Sequence, residues 1–467
     1  MSIFTRRNEV AAPSENVPSR RKFLFSALSA GVGAGLAAQA CAQDAAPASA
    51  PADLPAPPGR ILLSASENPA RVQRVAWRAH GPLDTPAAQL IPMTASPISG
   101  EGAQTVPASH RPFEPVPGMT EHSYTAAFTG LEPDTAYLYR VGNEGNWSAW
   151  NELRTAPEKP EKFRFLYMGD PQNDLRAQWS RTIRRAFRQV PDARFLLLAG
   201  DLVNHGFNDD QWDELTDAMG FIPASMPVLP TPGNHDTKRA EGVETPEHPY
   251  TASPTYHAHF CLPENGPAGV DCLKGEAYYA DYMGVRIVSF NSNIFTDARP
   301  RKQSHREVWD ALLAWIEEVL ANNPNRWTVV THHHPVYSGS ARRDNKAMRD
   351  LLRPIYEKHG VDLVLQGHDH CYCRTLKTAD DKVVAADAPG VVYVVSVSGP
   401  KMYDMDPKFK ALMADTMLSR TQLFHTIEVD GDSLVFDSHD TSGRRVDGFR
   451  LDKNASGAST MKETFKA

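Results

Sequence analysis

Cysteine is scarce: five in 467 residues, of which only Cys261, Cys272, Cys371 and Cys373 lie beyond the first 42. Neither pair has the spacing of a four-thiolate zinc site, which excludes a structural metal site of that kind. A disulfide closing the loop between Cys261 and Cys272 and a fully reduced set are equally open readings. Positive charge is not in excess either. Against 56 Asp and Glu stand 49 Lys and Arg, a net charge of −7, which argues against a general nucleic-acid binder but leaves room for a local basic pocket. Long apolar runs are missing as well: the candidate near the start, "FSALSAGVGAGLAAQA", is too short and glycine-rich to span a membrane well.

That stretch follows "SRRKFL" at Ser19–Leu24 and ends in A-x-A-like sites near Ala40 and Ala42. Residues 1–42 therefore read as a twin-arginine export signal, and the chain is expected in the periplasm or secreted. Lipid attachment at Cys41 is a lesser alternative, because Ala38 stands where such a motif has Leu. Residues 43–58 form an Ala/Pro linker with no periodicity for a core. The remainder is long enough for two domains, and 41% apolar with 22% charged residues is ordinary globular composition.

Two kinds of pattern follow the linker. Over residues 59–157, runs such as "RVQRVAWRAH", "HSYTAAFTGL" and "TAYLYRVG" alternate apolar and polar residues between Gly and Pro turns, which predicts an antiparallel β-sandwich. Over residues 158–452, apolar runs end abruptly in polar clusters: "FRFLYMGDPQ", "RFLLLAGDLVNHG", "PVLPTPGNHD", "WTVVTHHHP" and "VDLVLQGHDH". Such runs predict buried strands of an α/β domain, whose ligands gather at the carboxyl ends. Between them "REVWDALLAWIEEVLANN" sets Trp309, Leu312, Leu313, Ile316, Val319 and Leu320 on one helical face. Residues 453–467 read as a polar, mobile tail.

The five strand ends collect Asp170, Gln172, Asp201, Asn234, His235, His368, His370 and the three histidines of "THHHPV". Singly, an Asp after Gly is a turn residue and a buried His is a core group. Together, carboxylate, amide and imidazole donors at five strand ends suit a pair of borderline or hard cations. The set is too large for one ion and contains no cysteine, unlike a closed structural zinc site. His205 lies four residues after Asp201, and Arg342 and Arg343 lie just beyond "HHHPVYSGS", so all three are candidates for contacting substrate. The stretch from Thr237 to Leu273 is too long and proline-rich for a plain connection; it reads either as a lid carrying Tyr256, His257 and His259 near the pocket or, equally, as a segment that packs them against the sandwich.

The ordered series GD, GD, GNHD, HxP and GHxH across residues 169–370 resembles the calcineurin-like metallophosphoesterases. "GLEPDTAYLYRVG" and "LRTAP" resemble the fibronectin-like N-terminal domain of purple acid phosphatases. The resemblance implies an N-terminal β-sandwich followed by an α/β domain of two facing mixed sheets flanked by helices. It also implies two metal ions, with Fe, Zn and Mn all suited to the donors. Asp201 would bridge the ions, Asp170 and His370 would hold the first, and Asn234, His333 and His368 the second. His333 is selected because the family's ligand is the His two before the proline; His332 and His334 would flank the pocket. His235 would face the substrate phosphate, and a metal-bound hydroxide would attack it. The implied partner is a phosphorylated small molecule.

Two positions depart from the pattern. Gln172 stands where many members have His, so the first ion would draw on its carbonyl. Asn204 stands where purple acid phosphatases have a tyrosine ligand and where protein phosphatases have an Asp that orients the catalytic His; here it would take the orienting role. Monoester hydrolysis is the favoured reading. Hydrolysis of nucleotide or lipid-headgroup diesters, and an exported binding protein disabled at Gln172 and Asn204, are the alternatives.

Overall fold

The computed structural model describes residues 56–116, 118–237, 250–296, 303–341 and 343–466. The export signal, most of the linker, the first third of the expected lid (residues 238–249) and Arg342 lie outside the described residues.

Every element from Gly59 to Arg154 is a short strand. Gly59–Ser64, Gln73–Ala79, Met119–Phe128 and Ser109–Val116 make one antiparallel layer. Ala87–Pro92, Gln104–Pro107, Ala136–Asn143 and Asn151–Arg154 make the other. The alternation seen in "RVQRVAWRAH" places Val75, Trp77 and Ala79 on one face, where they meet Tyr124, Phe128, Tyr139 and Val141 in a core of their own. The sandwich is not a separate body, however. Ser64 pairs in parallel with Val228, so its first layer runs on into an eleven-stranded sheet. Arg60 and Arg78 both reach Asp209 across this junction, at 3.0 and 2.9 Å. The predicted boundary near residue 157 thus separates two cores but not two sheets.

In the second part, β1 (Phe163–Met168), β2 (Leu196–Leu198) and β3 (Val228–Pro230) are parallel neighbours in that long sheet. Strands β4 (Val285–Phe290), β5 (Trp327–Thr331), β6 (Leu363–Gln366) and β7 (Val392–Val395) are parallel neighbours in a six-stranded sheet. Antiparallel strands Leu423–Asp430 and Ala277–Tyr282 make both sheets mixed. The two sheets face each other. Ile287, Val329, Leu363 and Leu365 pack with Phe165, Tyr167 and Leu197 of the first sheet, while the alternate residues Val288, Val330 and Val364 pack outward. Covering both faces with apolar partners is what makes these strands read as unbroken apolar runs.

The longer α-helices among the described residues are α1 (Ser180–Gln189), α2 (Asp209–Met219), α3 (Pro254–His259), α4 (Gln303–Ala321) and α5 (Lys346–Lys358), with single turns such as Ile222–Ser225 and Leu175–Trp179 between elements. In α4 the buried stripe is Val308, Leu312, Trp315, Ile316, Val319 and Leu320, so the predicted face is rotated: Trp309 and Leu313 are only partly buried. No helix among the described residues is long and apolar enough to cross a membrane.

The expected polar tail is corrected. Ser459–Glu463 is an edge strand paired antiparallel with Arg445–Lys453, and it buries Ser459 and Met461. Its outward residues are polar because an edge strand keeps one side in water. The four described cysteines beyond the signal are free thiols.

The expected lid packs inward where it is described. Tyr256 is fully buried, His257 bonds Glu276 at 2.9 Å, and His259 stacks on Trp212 with ring centres 5.0 Å apart. Burial above all, with help from the Arg78 and Arg60 charges, pushes His259 down to about 3. The unfolded chain takes up this proton near pH 6.5, as any histidine does. Stability from this residue is therefore complete above that pH and falls on acidification, by about 1.4 kcal/mol per pH unit, until the folded form also protonates. His259→Phe is expected to gain on the natural chain as pH falls from 7 to 5, read as the difference in urea midpoints. Parallel midpoints would sink the assignment.

Candidate metal centre

Each chemical residue stands just past a strand. Asp170 follows β1, Asp201 follows β2, Asn234 and His235 follow β3, His333 follows β5, and His368 and His370 follow β6. Four of them, Asp170, Asp201, His368 and His370, take left-handed backbone angles with φ of 47, 50, 74 and 50°. Such angles cost non-glycine residues energy and persist where the surroundings over-determine them, as functional sites do. Gly200 also has a positive φ, +84°, and a Cβ there would stand 2.6 Å from His333 Nδ1. Glycine before Asp201 is thus required twice, by conformation and by the close approach of the His333 ring.

The carboxylates and imidazoles converge in two trios that share one member. Ligand atoms of Asp201, His333 and His368 lie within 4.8 Å of one another, as do those of Asp170, Asp201 and His370. Asn234 joins the first trio, with Oδ1 3.2 Å from His333 Nε2. His333 Nδ1 donates to Ala199 O at 2.9 Å and His370 Nδ1 to Lys401 O at 2.8 Å. These bonds turn each Nε2 inward, the arrangement by which a backbone carbonyl orients a metal-ligating imidazole.

The electrostatics suit cations. Burial is the largest influence on Asp201 and would raise it, but His333 and His235 hold it well below the usual carboxylate range. Burial pushes Asp170 well above that range, against the pull of His333. Burial also opposes charge on His333, yet the Asp201 and Asp170 carboxylates hold it up to about 9. Burial drives His370 down to about 3 and His368 well below its ordinary value, leaving both in the neutral, ligating form. Asp170 Oδ1 is buried with no hydrogen-bond partner. An orphaned carboxylate oxygen 3.5 Å from the neutral His370 Nε2 is a donor set that a divalent cation satisfies, so the residues fit two ions.

His332 and His334 flank the pocket. His332 stacks on Phe290, and His334 bonds Ser292 Oγ at 2.9 Å while lying against the His368 ring. His235 donates from Nδ1 to the backbone carbonyl of Asn204 at 2.7 Å, and its own N–H donates to Asp201 Oδ1 at 2.7 Å.

Four of the expected site residues are placed as follows. Gln172 turns its amide nitrogen, not its oxygen, to Asp201 Oδ2 (2.7 Å) and His370 Nε2 (3.2 Å). Its oxygen instead accepts from Lys401 Nζ at 3.3 Å, so it braces the ligands rather than joining them. Asn204 orients His235 through its main chain, a service any residue type supplies. The Arg343 charge is spent on Asp369 Oδ1 and the His368 carbonyl, because Asp369 is buried and needs a countercharge. His205 is exposed; its backbone N–H is held by Gln211 at 2.9 Å and its carbonyl accepts from Asn208 N at 2.9 Å.

Lys401 is the residue that sequence reasoning missed. Its signal was a sixth apolar run, "VVYVVSVSGPK", that ends in polar residues as the other five do.

A family model described as Calcineurin-like phosphoesterase matches residues 163–372, and one described as Purple acid Phosphatase, N-terminal domain, matches residues 58–155. An uncharacterized protein of Mycobacterium tuberculosis is 25% identical over 390 residues, 76% of this chain and 71% of its own length. Purple acid phosphatase 21 of Arabidopsis thaliana is 27% identical over 284 residues, 60% of this chain and 59% of its own. Probable purple acid phosphatase 20 of the same plant is 24% identical over 304 residues, 63% of this chain and 64% of its own, so the match spans under two thirds of both plant relatives. Among solved structures, purple acid phosphatase PPD1 from yellow lupin seeds superposes with a TM-score of 0.68 at 17% identity, covering 86% of this chain and 75% of that one. PhoD superposes with a TM-score of 0.62 at 12% identity, covering 87% and 92%. The chain therefore joins a purple acid phosphatase N-terminal domain to a calcineurin-like phosphoesterase domain, and it is a phosphoesterase hydrolase.

Proposed function

We propose that this chain hydrolyses phosphoric monoesters at a centre that holds two metal ions, with Asp201 between them. The observation that carries the reading is that two donor trios share Asp201 and no other residue. Asp170 and His370 would complete one ion site; Asn234, His333 and His368 would complete the other. Bound ions would supply Lewis-acid polarisation of the phosphoryl group and a water acidified enough to attack near neutral pH.

The chain's own residues do the rest. The Ala199 and Lys401 carbonyls fix two imidazole ring planes. The bond from His235 Nδ1 to Asn204 O leaves Nε2 as the position from which a protonated ring gives its proton to the departing oxygen. The monoester preference is drawn from the N-terminal domain and the purple acid phosphatase relatives. Residues 1–42 are proposed to export the chain by the twin-arginine route, a reading that fusion of this segment to a reporter tests.

The test is turnover of a chromogenic phosphomonoester and its diester counterpart with added Mn, Zn or Fe. Monoester turnover is expected, reduced at least about a hundredfold by Asn234→Ala and by His235→Ala. Of the two variants, only Asn234→Ala is expected to lose bound metal. Preference for the diester would move the substrate class and keep the centre. Silence with all three metals, in a folded protein, would favour the disabled binding protein.

A further inference from the structure

The segment after β7 crosses the site and is pinned to it from several sides. Ser398 N donates to Gly169 O at 2.8 Å, Gly399 N to Asp170 O at 3.0 Å, and Tyr403 N to His370 O at 3.1 Å. Gly399 has no room for a side chain, because a Cβ would stand 2.5 Å from Asp170 O and 2.6 Å from Pro171 O. This anchoring holds the half-buried Lys401 with Nζ 3.3 Å from Gln172 Oε1 and 3.4 Å from His235 Nε2. The ammonium thus lies between the amide bracing the Asp170 trio and the imidazole assigned to the leaving oxygen. Both contacts are long and both partners are an amide oxygen or a ring nitrogen. An ammonium has three N–H donors, and no carboxylate among the described residues lies within ion-pair distance of this one. Arg343, the other cation at this edge, is neutralised by Asp369.

We propose that Lys401 is a substrate-binding residue, its ammonium taking a non-bridging oxygen of the phosphoryl group between Gln172 and His235. The inference rests on the phosphoesterase reading above and adds a specificity element to it. A monoester dianion carries one more negative charge than a diester, so an unneutralised ammonium at this point favours the monoester. The effect expected of losing one charge-assisted bond is about 10- to 100-fold in affinity.

Inorganic phosphate binding by calorimetry to the metal-loaded full chain is the direct probe. Lys401→Met is expected to weaken phosphate binding about tenfold or more, with metal content and thermal midpoint unchanged, and Lys401→Arg to restore most of it. With chromogenic esters the same change is expected to raise KM for the monoester more than it lowers kcat, and to shrink the monoester-to-diester ratio. Phosphate affinity within twofold of the natural chain would overturn the proposal. So would loss of bound metal in Lys401→Met, because the lysine would then be organising the ion sites. If the natural chain turns over no ester, the phosphoesterase reading fails by itself, while phosphate binding still decides the role of Lys401.

Discussion

Asp201→Asn is expected to yield a folded chain whose monoester turnover falls on the order of a thousandfold or more and which retains less than one ion per chain. The substitution keeps shape and removes only charge and one lone-pair face. Asp201 is the member common to both donor trios, so its charge serves both ion positions at once. It also holds three neighbours: the His235 N–H on Oδ1 at 2.7 Å, the Gln172 amide on Oδ2 at 2.7 Å, and His333 Nε2 at 3.3 Å. An asparagine turns an N–H₂ toward one of the first two donors, which breaks a bond that the carboxylate satisfied. His333 loses the larger of the two carboxylate influences that hold it up to about 9. Bound metal, measured by elemental analysis beside turnover, separates loss of the ions from loss of geometry. Turnover above a tenth of the natural value, with two ions still bound, would sink the bridging role.

Arg374→Met is expected to cost about 3–5 kcal/mol of stability without touching a ligand. Arg374 is 1% exposed and donates to both oxygens of Asp447, at 2.7 and 2.9 Å, and to Glu463. Tyr372 OH donates to the same Asp447 at 2.6 Å. Arg374 belongs to a two-residue strand beside β7 in the six-stranded sheet, whereas Asp447 and Glu463 belong to the last two strands of the long sheet. The guanidinium therefore ties the two sheets together directly behind "GHDHCY". Removing it leaves the Asp447 carboxylate buried and unpaired, the costly half of a broken buried ion pair. Urea unfolding checks the size. Adding Asp447→Asn to Arg374→Met is expected to recover part of the loss, since the stranded charge is gone. A single-variant loss under about 1 kcal/mol would show that the link carries no weight.

Much of this was legible in the chain itself, and for a local reason. A strand buried on both faces must be apolar throughout, and the residues past its end must carry the chemistry, so "FLYMGD", "LLLAGD" and "VLQGHDH" each announce a strand and a site within a few residues. The choice of His333 among three histidines came from the resemblance to the metallophosphoesterases, whereas the donor types and their order follow from such short stretches. So does the alternation that makes residues 59–157 a sandwich. The rotated face of α4 shows the limit: Trp315 is buried through its neighbours, among them the Asn265 carbonyl that accepts from its indole N–H at 2.8 Å.

What only the tertiary structure decided are the relations between segments far apart in sequence. The sheet joining the two domains depends on Ser64 meeting Val228, and the last strand exists because Ser459–Glu463 finds Arg445–Lys453. The amide of Gln172 faces away from its expected duty because Lys401, 229 positions later, donates to its oxygen. Side-chain orientation and ion pairing depend on which groups share a buried space, and that is fixed by packing rather than by any residue's neighbours along the chain. The sequence by itself determined which atoms are available to hold two cations; the packed sheets decided which of them point inward, which are spent on each other, and that one ammonium stands beside them.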